Sequence, residues 1–243
     1  MKGWRHHLKR VRYPEYTDVY EFGVYTGNSV NWINQSLAAA GKAVRKIFGF
    51  DSFCGLPKEA DEEKELSDSR EFQWKVVDEF QWKSGDFNSQ EHFGVTSVEE
   101  VMNSLHAFVE PTLENGAVLE LIPGYFSDSL TDDIVEKYDM RPACYVDLDA
   151  DLYSSTTEAL DFLFRNGLIQ KSTILGYDDW GGTPGWQTME DGASKAHVEI
   201  ADKYNVDFQL IALTGTGYPH IQTIFEVRSV GDCRLKFEAG SNE

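Results

Sequence analysis

Cysteine is scarce: Cys54, Cys144 and Cys233 are scattered and odd in number. With no paired spacing they offer neither a zinc-binding set nor a disulfide framework, which favours a reducing, cytoplasmic setting. Long apolar runs are missing too. No stretch reaches the roughly 18 consecutive apolar residues of a membrane span, and residues 1–7 lack the apolar core of a signal peptide, so a soluble protein with no membrane partner is expected. Positive charge is also short: 22 Lys and Arg stand against 41 Asp and Glu, a formal net charge of −19. That field repels phosphate backbones, so nucleic acid is not an expected partner. No internal repeat, low-complexity tract or interdomain linker breaks the chain.

What is present suits one sizeable core. The 243 residues are 41% hydrophobic and 13% aromatic, and we expect a single domain spanning 1–243, with a short basic leader over 1–17. Residues 18–23 read as a strand, 28–40 as a helix through Val30, Ile33 and Leu37, and 44–50 as a second strand ending at Asp51. Residues 58–95 are charged, aromatic and largely without clean periodicity, and read as an insertion or lid. Ser97 and Glu100 have capping-box spacing for a helix to about Val109, and residues 117–122 form a third strand. A fourth strand covers 142–148. Ser155 and Glu158 suggest a second capping box for a helix to about Asn166, followed by a strand over 172–177 and a helix over 192–204. Residues 206–213 and 220–227, joined across 215–219, look like a closing hairpin. The expected fold class is α/β: seven strands in a mainly parallel sheet, helices on both faces, and a C-terminal antiparallel hairpin. Ligands of such sheets bind at the carboxyl ends of the strands.

Two of those strand ends point to a nucleoside-like cofactor. Glu21-Phe22-Gly23-Val24-Tyr25-Thr26-Gly27 puts two glycines in a strand-to-helix turn, where the backbone can approach a ligand closely. The spacing is Gly-x-x-x-Gly with a Glu ahead of it, so a pyrophosphate would meet an acid, whereas a cation suits the turn. S-adenosylmethionine carries a sulfonium and an ammonium and no phosphate. Asp51, 24 residues beyond Gly27, stands at the offset where an acid accepts ribose hydroxyls. The plainer alternative is a tight turn and a loop cap.

Acids also gather at two later strand ends. Asp147, Asp149 and Asp151 alternate where the fourth strand stops, and alternation along a strand aims side chains to one side. Asp178 and Asp179 follow the fifth strand, and neighbouring parallel strands lie about 5 Å apart. Carboxylates that close repel one another unless a cation joins them, and oxygen ligands select a hard ion, magnesium by abundance, with Mn²⁺ or Ca²⁺ as alternatives. Ordinary loop solvation is the competing reading.

Taken together, the phrases Glu21 to Gly27, Gly49-Phe50-Asp51-Ser52-Phe53-Cys54-Gly55-Leu56-Pro57, Gly124 to Leu130, Leu148-Asp149-Ala150-Asp151-Leu152-Tyr153-Ser154-Ser155-Thr156 and Asp178-Asp179-Trp180 resemble the macrocin O-methyltransferase family. The resemblance runs from about Val19 to Tyr204. It implies a class I methyltransferase fold and a magnesium-dependent methyl transfer from S-adenosylmethionine to a sugar hydroxyl. The cofactor site it implies is drawn from Glu21, Gly23, Tyr25, Thr26, Gly27, Asp51, Ser52, Phe53 and Asp149. The implied metal ligands are Asp149, Asp178 and Asp179, and the implied general base is Asp151 or a histidine, of which His92 is the nearest candidate. Family members carry a longer N-terminal region that builds acceptor and oligomer contacts, which leaves the acceptor and a homo-oligomeric state open. Tyr25 stands where a tryptophan is common, and Cys54 where a glutamate is common.

An aspartate near its ordinary pKa of roughly 3.9 is a weak base toward an alcohol, so Asp151 would need help from the metal or from desolvation. Two other readings compete. A magnesium-dependent, haloacid-dehalogenase-like phosphatase would use an Asp-x-Asp after a strand, but its first motif belongs near the chain start. A non-catalytic nucleoside- or metal-binding module would bind without turnover.

Overall fold

The computed structural model describes residues 7–12, 16–59, 83–113, 116–178, 180, 192–214 and 222–231. Among them, β1 (Asp18–Phe22), β2 (Lys46–Asp51), β3 (Val118–Pro123), β4 (Ala143–Leu148), β5 (Ile174–Tyr177), β6 (Val206–Thr214) and β7 (Gln222–Val230) share one sheet in the order β3-β2-β1-β4-β5-β7-β6. The first five strands are parallel, while β7 runs antiparallel to both β5 and β6. The expected mainly parallel sheet with a closing hairpin is what forms.

Strand alternation sorts the core into two layers. Tyr20, Phe22, Phe48, Phe50, Val146 and Leu148 project to one face and pack on α5 (Asp133–Lys137), α6 (Tyr153–Arg165) and α7 (Gly192–Tyr204). Val19, Ile47, Leu121 and Tyr145 project to the other, under α1 (Asn28–Ala39) and α3 (Val98–Val109). Two short helices, α2 (Ser89–Phe93) and α4 (Phe126–Ser129), sit in the connections that follow β2 and β3. On the first face the rings of Phe22 and Phe50 stack at 4.7 Å, and Phe126 of α4 meets Phe22 edge-on at 5.5 Å. The aromatic core thereby reaches up to the strand ends and supports a residue at the rim.

The two capping boxes fare differently. Ser97 caps α3, and Glu100 reaches back to the Ser97 N–H, as the spacing predicts. The Ser155–Glu158 box does not form. Helix α6 starts at Tyr153 with Leu152 at its N-cap, because the chain leaves a left-handed Asp151 (φ 58°) and is already helical two residues before Ser155. Much of the expected lid at 58–95 lies outside the described residues; its last part holds α2.

Candidate active site

In this strand order the chain leaves β1 toward β2 and β3, then crosses to β4 and β5 on the other side. The crevice above β1 and β4 is the topological switch point of the sheet. A cavity of about 230 Å³ opens there. Gly23 and Tyr25 line it from the loop after β1, Asp51 and Ser52 from the end of β2, and Tyr125 and Phe126 from beyond β3. Asp149 and Asp151 line it after β4, and Asp178 after β5.

Close backbone approach explains Gly23. Its φ is +93°, and a Cβ there would lie 1.9 Å from the carbonyl oxygen of Asp149. That contact, with Asp149 N–H donating to Phe22 O at 2.9 Å, stitches the ends of β1 and β4 together. Gly27 answers to packing on the opposite side: it is the N-cap of α1, and a Cβ would meet Leu105 of α3 at 2.8 Å. Three cavity residues other than glycine, Tyr25, Phe87 and Asp151, also hold left-handed φ angles of 45°, 60° and 58°. Strain of this kind collects where a loop is shaped for a ligand.

Asp51 locks the turn it faces. Its Oδ2 accepts from the N–H groups of Val24 at 2.8 Å and Tyr25 at 2.9 Å, and its Oδ1 accepts from Phe53 N–H at 2.6 Å. Burial lifts its carboxyl above the usual range, while the three N–H donors pull the other way. A carboxylate has about four lone-pair sites, so one remains for a ligand hydroxyl.

Glu21 lies beneath the cavity. It is fully buried, accepts a short hydrogen bond from Ser29 in the first turn of α1, and leaves Oε2 without a partner. Burial pushes its carboxyl up to about 8, with Ser29 opposing and the Asp51 charge adding to the rise. In register beside it on β4 is Asp147. Asp147 was expected to point with Asp149 and Asp151, but β4 ends at Leu148, so Asp147 stays inside the sheet while the other two follow on a loop. It accepts from Tyr145 O–H at 3.1 Å, and burial, then the charges of Glu21 and Asp178, raise its carboxyl well above the usual range.

Asp149 and Asp178 come together as expected. Leu148 and Tyr177 are register partners, and Asp178 N–H donates to Leu148 O at 3.1 Å, so the two aspartates leave adjacent strand ends into one cavity. Asp179 lies outside the described residues, and among those described no group of three His, Cys, Asp or Glu could hold a metal ion. Thr26 accepts from Asn28 Nδ2 at 2.7 Å, and Phe53 is buried in the core; neither is among the residues lining the cavity. His92 is exposed and stands 5.3 Å from the Tyr25 ring, also outside the lining.

Sequence reasoning missed Glu59, Phe87 and Glu158 as cavity residues. Glu158 was legible only as a supposed helix cap. His197 is a core residue: Tyr177 O–H lies 2.8 Å from its Nδ1, and burial pushes it down to about 4. Among the described residues lining the cavity are six carboxylates (Asp51, Glu59, Asp149, Asp151, Glu158 and Asp178) and no Lys, Arg or His.

The model of the Macrocin-O-methyltransferase (TylF) family matches residues 16–207. The chain belongs to this family. It is an O-methyltransferase, and the phosphatase reading falls. Solved structures of similar fold include the O-methyltransferase NovP, with 16% identity over 93% of this chain and 79% of that one, at a TM-score of 0.58. CalS11, a TDP-rhamnose 3'-O-methyltransferase of calicheamicin biosynthesis, gives 17% identity over 90% and 76%, at 0.50. A Clostridium thermocellum protein described as an rRNA methylase gives 14% identity over 95% and 96%, also at 0.50. Identities this low speak for the fold. No curated protein matches significantly. Among the described residues, no helix is long and apolar enough to cross a membrane.

Proposed function

We propose that the protein transfers a methyl group from S-adenosylmethionine to a hydroxyl of a sugar or glycosylated natural product, with a hard divalent cation held by Asp149, Asp178 and Asp179. The observation that carries this reading is the convergence of Asp149 and Asp178 on the cavity that Gly23 and Asp51 also line. The donor set fits: two carboxylates leave neighbouring strand ends, and the described lining has none of the nitrogen or sulfur ligands that zinc prefers. When bound, S-adenosylmethionine supplies an electrophilic methyl, and magnesium supplies charge that orients acceptor oxygens and acidifies a hydroxyl.

The chain's own residues do the rest. Gly23 lets the end of β4 pack against the turn after β1, which brings Asp149 to the cavity wall beside it. Asp51 offers its one remaining acceptor site to a ribose hydroxyl while holding the turn rigid. Asp151 lines the cavity two residues from Asp149 and takes the acceptor proton. His92, exposed beside Tyr25, is the weaker candidate for that step. The six carboxylates of the described lining disfavour a phosphorylated acceptor and support a neutral or amine-bearing sugar. Calorimetric titration with S-adenosylmethionine and magnesium, followed by methyl transfer to a panel of glycosides, tests the scheme. Failure to bind the cofactor sinks it, and binding without turnover on any acceptor favours a non-catalytic module.

A further inference from the structure

The closing hairpin brings a residue to the site. Tyr177 of β5 pairs with Thr223 of β7 in antiparallel register, so the next residue on each side of that pair, Asp178 and Gln222, face one another at the cavity rim. Gln222 Nε2 lies 2.6 Å from Asp178 Oδ1. A carboxylate can only accept, so the amide nitrogen is the end that must face Asp178. On its other side the Asp178 main chain is tied to β4 through Leu148 O at 3.1 Å.

We propose that Gln222 is a positioning residue: its amide fixes the Asp178 carboxylate so that Oδ2 is presented to a divalent cation. The inference rests on Asp178 being a ligand of that cation. A neutral donor suits the task, because Lys or Arg at the same place would orient the carboxylate but also cancel the charge the cation needs. Nothing in the sequence marks Gln222; only the register of an antiparallel strand with a parallel one brings it to Asp178.

The test is titration of the full-length protein with Mn²⁺ alone, followed by calorimetry, for wild type, Gln222→Met and Gln222→Thr, alongside thermal midpoints and S-adenosylmethionine affinity. Both substitutions remove the amide and keep an uncharged side chain; the threonine variant is read if the methionine variant folds poorly. The expected result is Mn²⁺ affinity lowered about tenfold or more, the usual effect of losing a partner behind a metal ligand, with the midpoint and cofactor affinity held. Wild type that binds Mn²⁺ with an unweakened Gln222 variant overturns the positioning role alone. Wild type that binds no Mn²⁺ overturns the metal reading, and the positioning role with it. A parallel loss of Mn²⁺ affinity, cofactor affinity and thermal midpoint in both variants means a merely structural role and also overturns it.

Discussion

The two ends of the sheet treat acids in opposite ways. At the amino end, Asp18 at the start of β1 is fully buried and clasped by Arg45, Nε to Oδ1 at 3.0 Å and Nη2 to Oδ2 at 2.6 Å, with the Arg141 N–H adding a third donor at 2.8 Å. Lys46 at the start of β2 likewise pairs with Glu120 of β3 at 3.2 Å. At the carboxyl end, Asp51 is held by backbone N–H groups and Asp178 by an amide, and no cation is found in the described lining of the cavity. A single five-residue strand, β1, carries both patterns, with Asp18 at one end and Glu21 near the other. Acids at the amino end pair with cationic side chains, whereas the described lining of the crevice gathers acids without a Lys, Arg or His among them.

The sharpest way to break this contrast is to neutralise the crevice acids singly. Asp149→Asn and Asp178→Asn should each lower methyl transfer on the order of 100-fold or more, with S-adenosylmethionine affinity little changed, because they remove the proposed cation ligands and leave the turn after β1 intact. Turnover that survives these substitutions in the presence of a chelator would remove the metal from the scheme. At the other end the effect should fall on stability. Arg45→Met strands the Asp18 carboxylate in the core and should cost on the order of 3 kcal/mol, the low end for a broken buried pair because Arg45 keeps some solvent contact. Urea denaturation measures it; an unchanged midpoint, or a selective loss of turnover in folded protein, would dissolve the distinction between the two ends.

Much of this was legible in the sequence where a residue's duty is local. The Ser97 cap depends on neighbours a few positions away, and it reads correctly. Asp149 and Asp178 were paired by one further step, the adjacency of parallel strand ends. What failed depended on where an element stops. Alternation counted past Leu148 put Asp147 in the crevice, and a motif count put a cap at Ser155, although the helix had already begun at Tyr153. Gln222 was beyond reach altogether, since its importance comes from antiparallel register with a strand about 45 residues earlier in the chain, and no rule of spacing encodes that.

Asp51 sharpens the comparison within the crevice, because it belongs to both the frame and the site. Asp51→Asn keeps the size, but its amide has a single oxygen, so its NH2 group must meet at least one of the three N–H donors. Loss of a charge-assisted bond there should cost roughly 1.5–3 kcal/mol of stability and weaken cofactor binding at the same time. The Mn²⁺ affinity should hold, since the carboxylates proposed to hold the metal lie across β1. A variant that loses cofactor affinity with full stability would make Asp51 a ligand contact only, and the frame would then rest on Gly23 alone.

The smallest expected effect is on pH dependence, and it tests whether Glu21 sits in the crevice pattern without a cation of its own. In the folded protein Glu21 holds its proton up to about pH 8, whereas an ordinary glutamate releases it near 4.5. Between those values the native state binds more protons than the unfolded chain, so stability should be full below the lower value and decline as pH rises through the upper one. Asp147, raised by the same burial, adds a slope of the same sign. Glu21→Gln keeps an oxygen for Ser29 and needs no proton, so its unfolding free energy should fall less steeply over that window and should overtake wild type toward pH 8. Denaturation curves at intervals from pH 5 to pH 8 separate the cases, and a variant slope equal to that of wild type would mean that the proton is held elsewhere and that Glu21 is charged against the first turn of α1.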